Sequence, residues 1–376
     1  MSKTVKIVIW LIVIVVVIAI GVSLSKKGGD TGTGPIKIGF IGPLTGDAAN
    51  IGQNSKAAVS IAVEEINNAG GINKRPLEVI YEDGQCNGKT ASNAANKLIN
   101  VDKVPVILGG ACSGETSAFA GASEQAKVVT LSYCSSVPTL TQAGDYIFRD
   151  YPSDIYQGKF GAEYVYNTLG KKKVAVLYVK SDWGVGVEKV FVDSFTKLGG
   201  TIVANEGYDQ TSRDLRSQLT KIKATKPDLL YFLGYSDASI PGLKQAAELK
   251  LNVPMFGADG WDDSKIFTEA GKAADGIMFT VVYAPLNNDF KTKMQAKVGN
   301  NEITSCSPEA YDATKILAQV IGKVGTDSTK IKDELYKVSY TGGVSSDKIE
   351  FDQNGDLVSA SYIVKVVKNG KAEPVK

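Results

Sequence analysis

The chain has 376 residues, 43% of them hydrophobic, with 42 Lys plus Arg against 40 Asp plus Glu and no histidine. Single cores stop growing near ~250–300 residues, so more than one folding unit is expected, and the hydrophobic share excludes a disordered chain. A net charge of +2 argues against a nucleic-acid partner, and the missing histidine excludes Ser-His-Asp triads, Cys-His pairs and histidine zinc sites.

Residues 7–24 form an uncharged apolar run between Lys3 and Lys6 on one side and Lys26 and Lys27 on the other. Its length approaches the ~20 residues that cross a bilayer and exceeds the ~7–15 of a signal-peptide core. The small-x-small pair Ala19 and Gly21 lies inside the run, where a cleavage site is not expected. Residues 1–27 therefore read as an N-terminal transmembrane anchor, or alternatively a signal. Residues 28–35, rich in glycine and free of large apolar side chains, read as a flexible tether.

From Pro35 onward, apolar strands alternate with helices. Strands are predicted over 36–41, 77–81, 104–108 and 127–131, and helices over 54–68, 90–100 and 115–125. The rhythm restarts after Tyr151 and Pro152. Strands are predicted over 173–179, 201–206, 228–233 and 253–256, and helices over 186–197, 212–224 and 240–250. Further helices are expected near 289–298, 308–324 and 331–338, with a hairpin at Gln353-Asn354-Gly355-Asp356. Such alternation predicts an α/β chain of two doubly wound, mainly parallel lobes.

Open parallel sheets hold ligands beyond the carboxyl ends of their strands. The loops at those ends are the polar ones here. Gly42 to Gly46 is a glycine-rich turn but not a G-x-G-x-x-G motif, and Gly84 to Thr90 is one residue too short for a phosphate loop. Gly109 to Glu115 and Ser132 to Pro138 each place serines at the start of a helix, where Ser113 and Ser136 can donate to a carboxylate. In the second half, Trp183, Tyr235 and Asp259 occupy equivalent positions. They offer apolar walls and an acid for an ammonium. Serines alone would read as helix caps and aromatics alone as core; together they match a zwitterion. Asp352, Asn354 and Asp356 lack the later ligands of a calcium loop, so a turn is preferred.

In order along the chain, IKIGFIGPLTGDAANIGQ, AVEEINNAGGINKRPLEVIYEDGQC, GGACSGETS, TLSYCSSVPTLT, SDWGVGV, GYSDAS, FGADGW and EAYDAT resemble the type I periplasmic-binding-protein superfamily. More narrowly, they resemble the leucine/isoleucine/valine-binding receptors of amino-acid ABC importers, from about Ile36 to the C-terminus. The resemblance implies two lobes joined by three crossings near Tyr151, Ala284 and 342–346. Lobe 1 would comprise 36–151 and 285–342, and lobe 2 152–284 and 343–376. It implies that Ser113, Ser136 and the backbone at Cys134 hold the ligand's α-carboxylate and α-ammonium. Asp259, assisted by Tyr235, would take the ammonium, and Trp183 would close over the ligand. Asp259 stands where the family often has glutamate, and Ile51 where an aromatic is common, so the side-chain pocket differs. Cys86 and Cys112 fall on a disulfide of these receptors; Cys134 and Cys306 remain open to a second bridge.

The implied function is extracytoplasmic capture of a small amino acid, aliphatic or branched-chain, and delivery to an ABC permease. No enzymatic activity, cofactor or metal is implied. The protein would be a monomer tethered to the outer face of the cell membrane. A ligand-sensing ectodomain of the same fold, and a receptor for amides, urea or another small solute, are the alternative readings.

Overall fold

The computed structural model describes residues 32–299 and 303–375. The expected anchor over 1–27 and most of the expected tether over 28–35 lie outside the described residues. Among the described residues, no helix is long and apolar enough to cross a membrane.

Two sheets carry the fold. The first is formed by β1 (Ile36–Gly42), β2 (Leu77–Asp83), β3 (Val106–Leu108), β4 (Val129–Ser132) and β5 (Ile147–Arg149), in the order β2-β1-β3-β4-β5 with every pair parallel. The second contains β6 (Lys173–Val179), β7 (Thr201–Tyr208), β8 (Leu229–Leu233), β9 (Met255–Gly257) and β10 (Met278–Val282). Its parallel part runs β7-β6-β8-β9-β10, the same order as the first sheet. Both sheets thus reverse direction beside their first strand, which opens a crevice at each switch point. A small pair, β11 (Ser339–Thr341) with β12 (Lys348–Glu350), stands apart. Strands β13 (Tyr362–Lys368) and β14 (Lys371–Pro374) extend the second sheet antiparallel from β10.

Eleven α-helices are described. Those of the first half are α1 (Ala49–Asn68), α2 (Gly88–Asn100) and α3 (Ser113–Ala126). Then follow α4 (Asp154–Glu163), α5 (Asp182–Lys197), α6 (Arg216–Ala224), α7 (Ser236–Glu248) and α8 (Ser264–Ala270). The last three are α9 (Asn288–Val298), α10 (Ser307–Val324) and α11 (Ser328–Leu335). Helices cover both faces of each sheet, which is why β8, Leu-Leu-Tyr-Phe-Leu, is buried at every position. The first core joins Ile38, Phe40, Leu131 and Phe148 to Ile316 and Val320 of α10. The second joins Val176, Leu177, Phe191, Phe232 and Trp261.

Caps explain several boundaries. Asn87 Oδ1 accepts from Lys89 N at 3.0 Å and Thr90 N at 3.1 Å, starting α2. Replacing Asn87 with alanine removes both bonds and is expected to cost about 1 kcal/mol, read as a lower midpoint in urea unfolding. Ser181 Oγ accepts from Gly184 N at 3.2 Å, so α5 begins at Asp182 and Trp183 lies in its first turn, not in a loop as the sequence suggests. Strand β4 begins later than expected because Lys127 takes a left-handed φ of 56° at the end of α3.

One boundary moves. Residues 343–357, assigned from the sequence to the second lobe, pack with the first: Ile349, Phe351 and Leu357 join its core, and the Phe351 ring lies 5.6 Å from that of Phe148. The expected turn is present: Phe351 bridges Leu357, and Asp352 Oδ1 accepts from the Asn354 and Asp356 amides at 2.7 and 3.0 Å.

Candidate functional site

Between the sheets lies a cavity of about 30 Å³. Ser113, Cys134, Ser136, Trp183, Tyr235 and Asp259 all line it, so residues spread over five segments of sequence meet at one place. Ile51 lines it too, beside Pro43 and Ala48 from the first strand-end turn.

On the first-sheet side the wall is the start of α3. Ser113 is the first residue of that helix, and its Oγ accepts from the Ser136 and Val137 amides, each at 3.2 Å. Having accepted twice, the hydroxyl keeps its proton for a donor role. Helix α3 points its positive end at the same place, and carboxylates are favoured there. The turn before it is shaped by Glu115, which is fully buried. Glu115 Oε2 accepts from the Ala111 and Cys112 amides and Oε1 from the Cys86 amide, all at 3.0 Å. Burial pushes its carboxyl up to about 7 despite these three bonds. The Cys86–Cys112 disulfide ties the same two loops, and a second bridge joins Cys134 to Cys306.

On the second-sheet side stand Trp183, Tyr235, Asp259 and Gly260. The Trp183 and Tyr235 rings lie 4.9 Å apart and 30° from coplanar. A Cβ on Gly260 would come within 2.7 Å of the Trp183 ring and 2.9 Å of the Gly234 carbonyl oxygen, so this position admits no side chain. Asp259 is 7% exposed. Tyr151 donates to its Oδ2 at 2.6 Å, whereas its Oδ1 has no partner among the described residues. Burial pushes the carboxyl up to about 6, against the opposing pull of the Tyr151 hydrogen bond. A buried carboxylate oxygen without a partner is costly and demands a donor.

The two sides also touch beyond the cavity. Asn50 Nδ2 donates to Asp263 Oδ1 at 2.7 Å, the Asp237 amide to Asp47 Oδ1 at 3.2 Å, and the Ser305 amide to Asp262 Oδ2 at 2.9 Å. The cavity is therefore narrowed by contacts from both lobes. Chemically it offers hydroxyls and a helix N-terminus at one end, an unpaired carboxylate at the other, and an apolar flank. No group on this wall is arranged as a nucleophile with a base.

Three contributors were not legible in the sequence. Tyr151 reaches Asp259 across 108 positions of sequence. Ser305 and Cys306 line the cavity from the approach to α10. Only the cysteine carried a signal, as one half of a possible bridge to Cys134.

A family profile described as periplasmic binding protein matches residues 35–371. The chain is 29% identical over 335 residues to a leucine-, isoleucine-, valine-, threonine- and alanine-binding protein of Pseudomonas aeruginosa, covering 88% of this chain and 89% of that one. It is 26% identical over 246 residues to the Leu/Ile/Val-binding protein of Escherichia coli, covering 65% and 67%. Among solved structures, a leucine binding protein from Thermotoga maritima matches with a TM-score of 0.85 and 29% identity over 91% of this chain and 98% of that one. A branched-chain amino acid transporter substrate binding protein from Streptococcus pneumoniae, solved in complex with isoleucine, matches with a TM-score of 0.82 and 29% identity, over 91% and 99%.

Proposed function

Since the chain belongs to the periplasmic binding protein family, in its type I form and close in kind to Leu/Ile/Val-binding proteins, we propose that it is an extracytoplasmic receptor that captures an aliphatic amino acid and delivers it to the permease of an ABC importer. It acts by binding and release, without catalysis. The observation that carries this reading is Asp259 Oδ1, a buried carboxylate oxygen without a partner, on a cavity whose opposite wall is the N-terminus of α3 and the Ser113 hydroxyl. The α-ammonium goes to Asp259. The α-carboxylate goes to Ser113, Ser136 and the backbone at Cys134. Trp183 and Tyr235 cover the ligand, and Ile51, Ala48 and Pro43 contact its side chain. Isoleucine in a similar structure, and a curated relative named for binding leucine, isoleucine, valine, threonine and alanine, support the ligand class.

In this reading the lobes are 36–151 with 285–357, and 152–284 with 358–375, and they rotate about the three crossings. Ligand held on one lobe gains contacts from the other on closure, which shifts the population toward the closed form. The apolar run over 7–24 supports an N-terminal anchor that tethers the receptor at the membrane. A thermal-shift screen of the twenty amino acids on the compact 35–376 unit tests the proposal. One or more of leucine, isoleucine, valine and alanine should raise the melting temperature. No rise with any amino acid would overturn it.

The pH dependence has a defined sign. The Asp259 carboxyl is raised to about 6, and an ammonium ligand pairs with the ionised form only. Affinity is therefore expected to be full above pH ~7 and to fall by up to tenfold per pH unit below ~6. Without amino acid the sign reverses for stability. A carboxyl raised above its unfolded value binds its proton more tightly in the fold, so this group favours the folded protein increasingly as pH falls from 8 toward 5. Calorimetric titration with ligand, and melting curves without it, between pH 5 and 8 check both.

A further inference from the structure

A second cavity, of about 250 Å³, lies where the three crossings run side by side: Pro152 comes from the first, Pro285 from the second and Ser361 from the third. It is distinct from the amino-acid cavity, sharing none of its lining residues. Asp150, one residue past β5, and Glu309, in the first turn of α10, both line it. They are only 1% and 4% exposed, and neither Asp150 Oδ2 nor Glu309 Oε2 has a hydrogen-bond partner among the described residues.

The surroundings make this negative charge worse. Asp312, one turn along α10 from Glu309, spends its Oδ2 on the Val344 and Ser345 amides and the Ser345 hydroxyl, at 2.8, 2.7 and 2.6 Å, and its Oδ1 is also unpartnered. Asp347 adds another acid to the lining. The neighbouring cations are committed elsewhere: the Arg149 guanidinium pairs with Asp356 at 2.7 Å, and Lys348, on the cavity wall, pairs with Glu350 at 2.8 Å. The cavity walls offer carboxylates and serine hydroxyls, with no sulfur or imidazole donor.

We propose that this cavity is a cation site, in which a hydrated divalent metal ion sits between the Asp150 and Glu309 carboxylates at the hinge. Carboxylate and hydroxyl oxygens as the available donors suit a hard cation such as Ca²⁺ or Mg²⁺. No three acid, cysteine or histidine side chains among the described residues converge as a stripped metal cage. The ion therefore keeps much of its water, for which the cavity has room. A charge there would satisfy the two orphaned carboxylates and tie the end of β5 to the start of α10. The proposal does not depend on which solute occupies the other cavity.

The test is a melting curve of the full chain in detergent, with CaCl₂ or MgCl₂ against NaCl of equal ionic strength, alongside calorimetric titration of each metal. One ion per chain should bind, and the melting temperature should rise by about 2–3 °C at tenfold excess over the dissociation constant. Asp150→Asn with Glu309→Gln should abolish both signals, and Asp289→Asn, on the surface of α9, should keep them. If the double variant fails to fold, Glu309→Gln alone serves, with at least a tenfold weaker titration expected. No heat and no rise with either metal in the unaltered protein would overturn the proposal, as would an undiminished signal in the hinge variants. A rise with putrescine but with neither metal would overturn the assignment to a metal ion.

Discussion

Replacing Asp259 with asparagine is expected to weaken amino-acid binding by roughly 30- to 5,000-fold without weakening the fold. Truncating one partner of a buried, hydrogen-bonded charge pair costs ~2–5 kcal/mol, and each ~1.4 kcal/mol is tenfold in affinity. The substitution keeps the shape and leaves an amide oxygen to accept from Tyr151, which now donates to Oδ2 at 2.6 Å. What it removes is the charge that an ammonium needs. The same change should leave the ligand-free protein as stable or more so at pH 7.5, because burial disfavours the ionised carboxylate and holds it at about 6. The two measurements separate a site effect from a folding defect. Titration calorimetry gives the affinity and melting curves give the stability. The variant should also lose the fall in affinity below pH ~6. Unchanged affinity in Asp259→Asn would remove the ammonium from this end of the cavity.

The loops that build the cavity could be read from sequence because each follows a short apolar strand and contains small hydroxyl residues or glycine. Ser113, Ser136, Tyr235 and Asp259 all stand at such ends, and the repeated strand-helix rhythm brings those ends together. The rest depended on pairings with no local pattern. Tyr151 is adjacent to a proline at a crossing and looks like a core aromatic; only the fold brings its hydroxyl to Asp259. Strands β10, β13 and β14 were not separable from the helices and turns around them. Their antiparallel pairing joins Met278–Val282 to a segment more than 80 positions later, and β14 is polar because it is an edge. The packing of residues 343–357 was hidden for the same reason. The sequence marks a turn at Gln353 to Asp356, but which lobe receives that turn is decided by Phe351, Leu357 and Asp356, whose partners lie far upstream. Four cysteines allow three pairings, and distance in sequence does not choose among them; only the family resemblance pointed to Cys86–Cys112 and left Cys134–Cys306 open. The structure pairs Cys86 with Cys112 and Cys134 with Cys306, at separations of 26 and 172.

Breaking the contact that fixes the third crossing should cost more stability than any other single surface-remote change considered above. Arg149 is 2% exposed, at the end of β5. Its Nε donates to Asp356 Oδ1 and its Nη2 to Asp356 Oδ2, both at 2.7 Å; Nη2 also donates to Thr141 Oγ1 at 2.8 Å. The remaining nitrogen, Nη1, donates to the carbonyls of Ser136 and Val137 at 3.1 and 2.9 Å. One guanidinium thus ties the late turn to the loop that carries Ser136. Asp356→Ala leaves this buried cation without a counter-charge and is expected to cost about 3–5 kcal/mol, read from urea unfolding. Arg149→Met should cost a similar amount, since it leaves two carbonyls and a carboxylate unpaired, and it should also weaken amino-acid binding because the Ser136 loop loses its anchor. The double variant Arg149→Met with Asp356→Leu discriminates between explanations. If the loss in each single variant comes from a stranded charge, the double variant should be more stable than either, because no charge remains to strand. Additive losses would instead mean that packing around the two side chains, and not their pairing, holds the crossing in place.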